Sequence, residues 1–185
     1  MAKTIIAFLA ILHLAVVGRT HDFEAWSQGL RLTGIKSEQV TDLHFYFQDT
    51  VSGTDPTAVR VAQATGTDRS PTLFGMVMMA DDPLTEGPDP TSNVVGRAQG
   101  IYGSAGQNEV GLIMSMSFAF TNREYNGSSI SVLGRNLALH PVREIPVVGG
   151  TGAFRLAHGV ALAQTYSLNP VTGDAVVEYN VTVVH

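Results

Sequence analysis

The sequence contains no cysteine among its 185 residues. This absence excludes a disulfide framework, a thiol nucleophile and a cysteine-ligated zinc site. A domain of this size must then be stabilised by packing, by closing a sheet on itself, or by oligomerisation. The six histidines form no pair at metal-ligand spacing, so neither a metal site nor a cofactor is predicted.

Charged residues and helical patterns are scarce as well. Only 15% of the residues are charged and the net charge is -5, so there is no basic footprint for a nucleic-acid partner. No long amphipathic helical pattern is present, whereas 19 glycines are spread along the chain. This composition favours a β-rich domain with tight turns.

The first residues are typical of a targeting segment. Lys3 precedes the apolar run Thr4–Gly18, which is too short for a comfortable membrane span and is followed by polar residues. We therefore predict a secretory signal peptide over residues 1–20, with an uncleaved anchor as the less favoured alternative. Residues 21–42 have no clear period and are predicted to form an N-terminal arm. After cleavage no membrane association is expected.

Two N-glycosylation sequons fit a secreted protein. Asn126 lies in the sequence NGS, within a turn signal between two apolar runs. Asn180 lies in NVT, where strand alternation places it on the face opposite Tyr179 and Val181. Both are predicted to be solvent-exposed and glycosylated.

From Leu43 onwards the sequence alternates with the period of β-strands. The clearest segment places one set of apolar side chains on a single face, namely Val110, Leu112, Met114, Met116, Phe118 and Phe120. About eight or nine strands follow one another, and Asp81–Asn93, with three prolines, is predicted to be a long loop. This pattern predicts an antiparallel barrel or sandwich over residues 43–185.

Rows of small residues raise the question of a cavity. Gly96, Ala98 and Gly100 share one strand face, and Ala161 and Ala163 share another. Such rows permit either tight packing or an internal cavity, and a barrel of eight strands is just wide enough to hold one small ligand.

The stretch LHFYFQDTV places a carboxylate among apolar side chains. Phe45, Phe47 and Asp49 point to one face of the predicted strand. A buried carboxylate needs a partner or a shifted pKa, although a solvated position at the strand end is an equal alternative. Arg143 is a candidate partner, with an ordinary surface arginine as the favoured alternative. Tyr102 lies among small residues, either in a cavity or in the core.

Several longer segments resemble the plant dirigent proteins. The resemblance runs from Leu43 to the C-terminus and is carried by HFYFQDTVSGTDPTAVRVAQA, TLFGMVMMADDPLTEGPD, VGRAQGIYGSA, YNGSSISVLGRN, VREIPVVGGTGAFRLAHG and TGDAVVEYNVTVVH. The chain looks most similar to the mixed group that includes pterocarpan synthases. This resemblance implies an eight-stranded antiparallel β-barrel with a central phenolic-binding cavity. It also implies a glycosylated homotrimer in the apoplast or cell wall.

The resemblance further implies a function. Dirigent proteins bind phenolic radicals or quinone methides generated by an external oxidase such as laccase. They impart stereoselectivity on phenoxy radical coupling, for example of coniferyl alcohol to lignan-type products, without oxidative activity of their own. The alternative is a pterocarpan synthase-like dehydratase, a lyase that closes an isoflavanol-derived quinone methide. A third possibility is a cell-wall protein that organises lignin deposition.

Site residues follow from the resemblance position by position. Asp49 corresponds to an acid in the barrel cavity, and Arg143 and Tyr102 correspond to polar cavity residues. Phe47, Asn136 and Phe154 are expected to contact the substrate. Three positions depart from the family pattern. Asn136 stands where lignan-forming members carry a second acid, and Gln48 and His158 replace a frequent histidine and arginine, changes expected to alter the surface or rim.

Overall fold

Strands form almost all of the regular structure. The computed structural model describes residues 38–185. It contains the strands β1 Val40–Asp49, β2 Ala58–Ala62, β3 Val77–Thr85, β4 Val94–Ser104, β5 Gly111–Phe120, β6 Ser129–Leu137, β7 Arg143–Thr151, β8 His158–Leu168 and β9 Ala175–Val184. Two short 3-10 helices cover Thr67–Arg69 and Gly152–Phe154.

The predicted alternation is clearest in β5. Met114, Met116, Phe118 and Phe120 are buried, while Ser115 between them and Ile113 just before them are exposed. A strand with one apolar and one polar face is stable when the apolar face covers a core, here the interior of the molecule. The prediction of this strand and of its buried face is confirmed.

The strands close into a barrel. Each strand is antiparallel to its neighbours in the order β1-β9-β8-β7-β6-β5-β4-β3-β2, and an additional pairing joins β1 to β3. That pairing completes a ring of eight strands, while β2 is a ninth strand alongside β3. The predicted eight-stranded antiparallel barrel is therefore confirmed, and among the described strands closure leaves only the short strand β2 with an unpaired edge.

Two strands share one edge of β3. β1 pairs with the end of β3 through Tyr46↔Thr85 and Phe47↔Leu84. β2 pairs with the beginning of β3, from Ala58↔Ala80 to Ala62↔Val77. The prediction of a loop over Asp81–Asn93 is wrong in its first half, because Asp81 to Thr85 belong to β3. Pro83 lies where β3 changes partner, and a proline is tolerated where no ladder hydrogen bond is required.

The middle and one end of the barrel are filled by aromatic side chains. Phe45 stacks on Tyr179 with ring centroids 5.7 Å apart, and Phe118 meets Tyr179 edge-on at 5.2 Å. Gly100 allows β4 and β5 to approach closely, because a Cβ on Gly100 would lie 2.2 Å from the Ser115 carbonyl oxygen.

The barrel begins slightly earlier than expected. Val40 already pairs with Val184, so residues 40–42 belong to the barrel and not to the predicted arm. The predicted signal peptide over residues 1–20 and the rest of the arm lie outside the described residues. Within residues 38–185, no helix has the length and apolar character needed to cross a membrane.

Candidate functional site

One end of the barrel holds a cavity of about 570 Å³. It lies where β1, β4, β6 and β8 end and where β3, β5, β7 and β9 begin, so that every strand of the ring contributes to its wall. This volume is within the range of small-molecule sites in proteins. The closed barrel thus provides a pocket of fixed shape.

The cavity wall is mainly apolar. Phe47, Met78, Met114 and Val177 line it, and Tyr179 forms part of its inner surface. Flat rings and flexible methionines of this kind pack well against aromatic ligands. Phe47 therefore lies where a substrate contact was predicted.

Asp49 and Tyr102 form one polar group in this wall. The Tyr102 hydroxyl donates to the two carboxylate oxygens of Asp49, at 3.0 Å to Oδ2 and 3.4 Å to Oδ1. Burial raises the pKa of Asp49 to about 6, the Tyr102 hydrogen bond opposes this rise, and the charge of Asp174 adds to it. Asp49 is therefore a weak acid that keeps its proton at mildly acidic pH, as a proton donor requires.

Arg143 and Asn136 form a second polar group. Arg143 is only 5% exposed, so the surface alternative for this residue is wrong. Its guanidinium donates to Asn136 Oδ1 at 3.1 Å, to Thr165 Oγ1 at 2.9 Å and to the His140 carbonyl oxygen at 3.3 Å. Among the described residues it makes no ion pair with a carboxylate, so the suggested partnership with Asp49 is also wrong.

The two groups face each other across the barrel. Asp49 and Tyr102 come from β1 and β4, which flank β3, whereas Asn136 and Arg143 come from β6 and β7 on the other side of the ring. A ligand that fills the cavity therefore meets an acid on one side and a buried cation on the other. A guanidinium without a carboxylate partner attracts an electron-rich oxygen of the ligand.

Phe154 does not lie in the cavity wall. It is fully buried at the opposite end of the barrel, where its ring packs against Tyr125 at 4.9 Å and His185 at 5.1 Å. The predicted substrate contact for Phe154 is therefore wrong. Phe154 lies in a 3-10 helix after β7, and this position directs its ring into the end of the barrel that is filled by aromatic side chains.

Gln48 also differs from its expected place. It is 6% exposed, and its amide donates to Thr85 Oγ1 at 2.9 Å and to the Pro88 carbonyl oxygen at 3.3 Å. Gln48 thus fixes the loop after β3 and does not contribute to the surface. His158 is exposed at the start of β8, as expected.

Sequence reasoning missed Asp82, a fully buried carboxyl on β3. The three prolines of Asp81–Asn93 favour a loop and so conceal the strand that contains Asp82. The alternation of Met78, Ala80, Asp82 and Leu84 was the signal that places this residue on the inward face. Thr165 on β8, which holds Arg143, was missed because a threonine in a strand carries no distinguishing pattern.

Between residues 38 and 185, no group of three or more histidine, aspartate or glutamate side chains is arranged to hold a metal ion. The polar groups available in the cavity are therefore the acid pair of Asp49 with Tyr102 and the cluster around Arg143.

Comparison with known proteins identifies relatives over almost the whole described region. The family model of dirigent-like proteins matches residues 40–184. Dirigent protein 23 from Arabidopsis thaliana is 53% identical over 177 residues, which cover 96% of this chain and 94% of that protein. Pterocarpan synthase 1 from Glycine max is 52% identical over 155 residues, 83% of each chain.

A solved structure agrees with these relatives. The structure of a pterocarpan synthase dirigent protein is 50% identical, covers 81% of this chain and 87% of its own, and superposes with a TM-score of 0.76. A second structure of a pterocarpan synthase dirigent protein is 48% identical with a TM-score of 0.75. Sequence, fold and family model agree, and the chain belongs to the dirigent protein family.

Proposed function

We propose that this protein directs the stereochemistry of phenoxy radical coupling, for example of coniferyl alcohol, and yields optically active lignan-type products. The observation that carries the proposal is the acid Asp49, hydrogen-bonded to Tyr102 and set in an apolar cavity of a dirigent barrel. An external one-electron oxidant such as laccase supplies the radicals. The barrel supplies orientation and a proton.

Orientation follows from the shape and lining of the cavity. Two phenoxy radicals combine by forming one carbon–carbon bond, which uses both unpaired electrons and needs no further oxidant. The apolar wall around Phe47 and Met114 holds the rings, and fixing which faces meet turns a random encounter into an oriented one. Stereoselectivity is then a property of binding and not of redox chemistry.

The proton step follows from the environment of Asp49. Coupling leaves quinone methide groups, whose oxygen accepts a proton from the Asp49 carboxyl. A hydroxyl oxygen of the same intermediate attacks the exocyclic carbon, and its proton returns to the carboxylate. No proton is consumed overall, and a pKa of about 6 lets one residue donate and accept.

A second candidate function is the dehydration of an isoflavanol. Asn136 has an amide where lignan-forming relatives are expected to carry an acid, so only one acid faces the cavity on that reading. Asp49 would protonate the leaving hydroxyl, and its carboxylate would take the proton of the conjugated phenol as water departs and a quinone methide forms. A second hydroxyl would then close the ring as its proton restores the phenol. Two relatives named pterocarpan synthase, at 52% and 46% identity, favour this alternative.

Oxidant dependence tests the proposal and separates it from the alternative. The full-length secreted protein is incubated with coniferyl alcohol and limiting laccase, and the dimers are resolved by chiral chromatography. We expect an enantiomeric excess with the protein and a racemic mixture with laccase alone. Racemic product at every protein concentration would contradict the coupling function. Ring closure of an isoflavanol without any oxidant would then establish dehydration in its place.

We also propose that the protein is secreted and glycosylated. Asn126 is exposed in the turn between β5 and β6, and Asn180 is exposed on the outer face of β9. Both sequons are thus accessible to a glycosyltransferase. Expression in plant cells should yield protein in the extracellular fraction whose apparent mass falls after glycosidase treatment. Protein carrying Asn126→Gln and Asn180→Gln together should show no such fall.

The proposed assembly is a homotrimer. Exposed apolar side chains form a row on the outside of the barrel that is interrupted by Ser115 on β5, namely Val59 on β2, Met79 on β3, Ile101 on β4 and Leu133 on β6. Their exposed fractions are 46%, 47%, 42% and 49%. Large exposed apolar patches mark association surfaces. Asn180 lies on β9, which carries no residue of this row.

A further inference from the structure

Asp82 is a buried titratable group that the proposed chemistry does not yet use. Its neighbours on the inward face of β3, Ala80 and Leu84, are core residues, and Asp82 itself has no exposed surface. It lies beneath the cavity and does not line it. A carboxyl group in such a place requires an explanation, because burying an uncompensated charge is costly.

Strand register places Asp82 next to Asp49. β1 and β3 pair at Tyr46↔Thr85 and Phe47↔Leu84, and the same register carried two residues further sets Asp49 opposite Asp82. The two strands separate at this point, and β2 replaces β1 as the partner of β3. Two inward-facing carboxyls therefore meet at the split. Like charges opposite each other on neighbouring strands are destabilising, which favours the neutral form of one of the two.

Thr57 connects the two carboxyls through the backbone. Its hydroxyl donates to Asp82 Oδ1 at 2.5 Å and accepts from the backbone N–H of Thr50 at 3.2 Å. The backbone N–H of Thr57 also donates to the Thr50 carbonyl oxygen at 2.8 Å. Since Thr50 directly follows Asp49, this chain of contacts holds the end of β1 against Asp82.

The second oxygen of Asp82 has no partner. Oδ2 is buried and accepts no hydrogen bond from any described residue. A carboxylate would leave a charged oxygen unsatisfied there, whereas a carboxylic acid would place its hydroxyl at this atom, which is the less costly arrangement. The absence of a hydrogen-bond partner therefore favours the protonated form.

The groups around Asp82 shift its pKa in both directions. Burial and the charge of Asp49 raise its pKa to about 7, although the Thr57 hydrogen bond and the charge of Arg97 lower it. Asp81 raises it slightly, but Asp81 is on the outer face and bonded to Arg97. Burial and the charge of Asp82 both raise the pKa of Tyr102 on β4, so Tyr102 stays neutral.

We propose that Asp82 is a second, hidden acid of the cavity, which holds one proton jointly with Asp49 across the β1–β3 split and positions Asp49 through Thr57. The inference rests on the proposed role of Asp49 as the proton donor. A neutral Asp82 makes it possible for Asp49 to become a carboxylate after donation, because two adjacent negative charges are avoided. Asp82 thereby allows Asp49 to ionise without a second negative charge beside it, and it does so without touching the substrate.

Carboxyl titration tests the coupling directly. Protein labelled with ¹³C at the aspartate side chains is titrated by NMR as wild type and as the Asp49→Asn, Asp82→Asn and Asp81→Asn variants. We expect removal of the Asp49 charge to lower the pKa of Asp82 by about one unit, the size that defines coupled sites. Asp81→Asn is the matched control on the same strand, and it should move that pKa far less because its charge is solvated.

Two results would overturn the inference. One is a pKa of Asp82 that is the same in Asp49→Asn as in wild type, and the other is titration of Asp82 in the ordinary range of a solvated carboxyl. Asp49 is partly exposed, so we expect Asp49→Asn to fold. The comparison of wild type with Asp49→Asn therefore tests the coupling even if Asp82→Asn does not fold. The titration needs no substrate. A racemic coupling product would therefore reject the proposed function while leaving the coupling measurable, and uncoupled carboxyls with a chiral product would reject only the inference.

Thr57 provides a test of the positioning role. Thr57→Val removes the hydroxyl that favours the Asp82 carboxylate, so the pKa of Asp82 should rise, and Thr57→Ser should restore the wild-type value. The pH dependence of the enantiomeric excess should shift in the same order. Equal titration curves for Thr57→Val and Thr57→Ser would contradict the link through Thr57.

Discussion

At the scale of single residues, the acid strength of Asp49 is set by opposing neighbours. The apolar wall raises its pKa, and the Tyr102 hydroxyl stabilises the carboxylate and lowers it. Arg143, which could have held Asp49 permanently ionised, donates instead to Asn136 and Thr165. Asp49 therefore remains available as a proton donor rather than as half of an ion pair.

Replacing Tyr102 tests this balance. Tyr102→Phe removes the donor at 3.0 Å from Asp49 Oδ2 and keeps the ring, so the pKa of Asp49 should rise above its value of about 6. A hydrogen bond to a charged group is worth about 1.5–3 kcal/mol, which corresponds to a rise of roughly one to two units. Aspartate ¹³C NMR measures the shift. Tyr166→Phe, on the outer face, is the control, and an unchanged or lowered pKa in Tyr102→Phe would contradict the assignment.

At the scale of strands, the sequence predicted what local alternation decides. β5 could be recognised because Met114, Met116 and Phe118 alternate with small or polar residues. The second half of β3 could not be predicted, because a proline normally ends a strand. Pro83 is tolerated inside β3 because the strand paired with β3 changes there from β2 to β1. That exchange is a long-range arrangement, which also brings Asp49 and Asp82 together. No local pattern carries this information.

The same strands depend on close approach of their backbones. A Cβ on Gly159 in β8 would lie 2.1 Å from the Thr182 carbonyl oxygen of β9, whereas a Cβ on Gly149 in β7 meets nothing within 4 Å. Gly159→Ala should lower the free energy of unfolding by about 1–3 kcal/mol. At roughly 2–4 °C per kcal/mol this is visible by thermal denaturation. Gly149→Ala is the control, and equal melting temperatures of the two variants would contradict the described contact.

Stability should depend on pH through the β1–β3 split. Asp49 and Asp82 have folded-state pKa values of about 6 and about 7, above their ordinary value of 3.8. The folded chain therefore binds more protons than the unfolded chain in this window, and the free energy of unfolding falls as pH rises from about 4 to about 7. Asp82→Asn should flatten the decline in denaturant midpoints, and Asp81→Asn should not. A wild-type stability that rises across this window would contradict the assignment.

At the scale of the whole molecule, closure of the sheet into a barrel explains two properties. It stabilises a chain that has no disulfides, and it forms the cavity. Eight strands in a ring leave no free edge, and their inward side chains fill one end with aromatics while leaving about 570 Å³ at the other. The class of fold was predictable from the alternation of its strands. The place of Phe154 at the filled end was not, because a ring in a short 3-10 helix carries no signal of which end it enters.

Assembly belongs to this scale too. Ile101→Lys places a charge in the middle of the outer apolar row and should convert the proposed trimer into monomers, as measured by light scattering after size-exclusion chromatography. Leu162→Lys, at an exposed apolar position on β8 away from the row, should leave the assembly intact. A wild-type protein that is monomeric at all concentrations would contradict the proposed trimer.

The most direct test of the central claim is the enantiomeric excess of coupling products from wild type, Asp49→Asn and Asp81→Asn. All three are assayed with coniferyl alcohol and limiting laccase by chiral chromatography. We predict an enantiomeric excess for wild type and Asp81→Asn, and its loss in Asp49→Asn, because only Asp49 presents its carboxyl to the cavity. An enantiomeric excess that persists undiminished in Asp49→Asn would show that the cavity acid does not control the reaction.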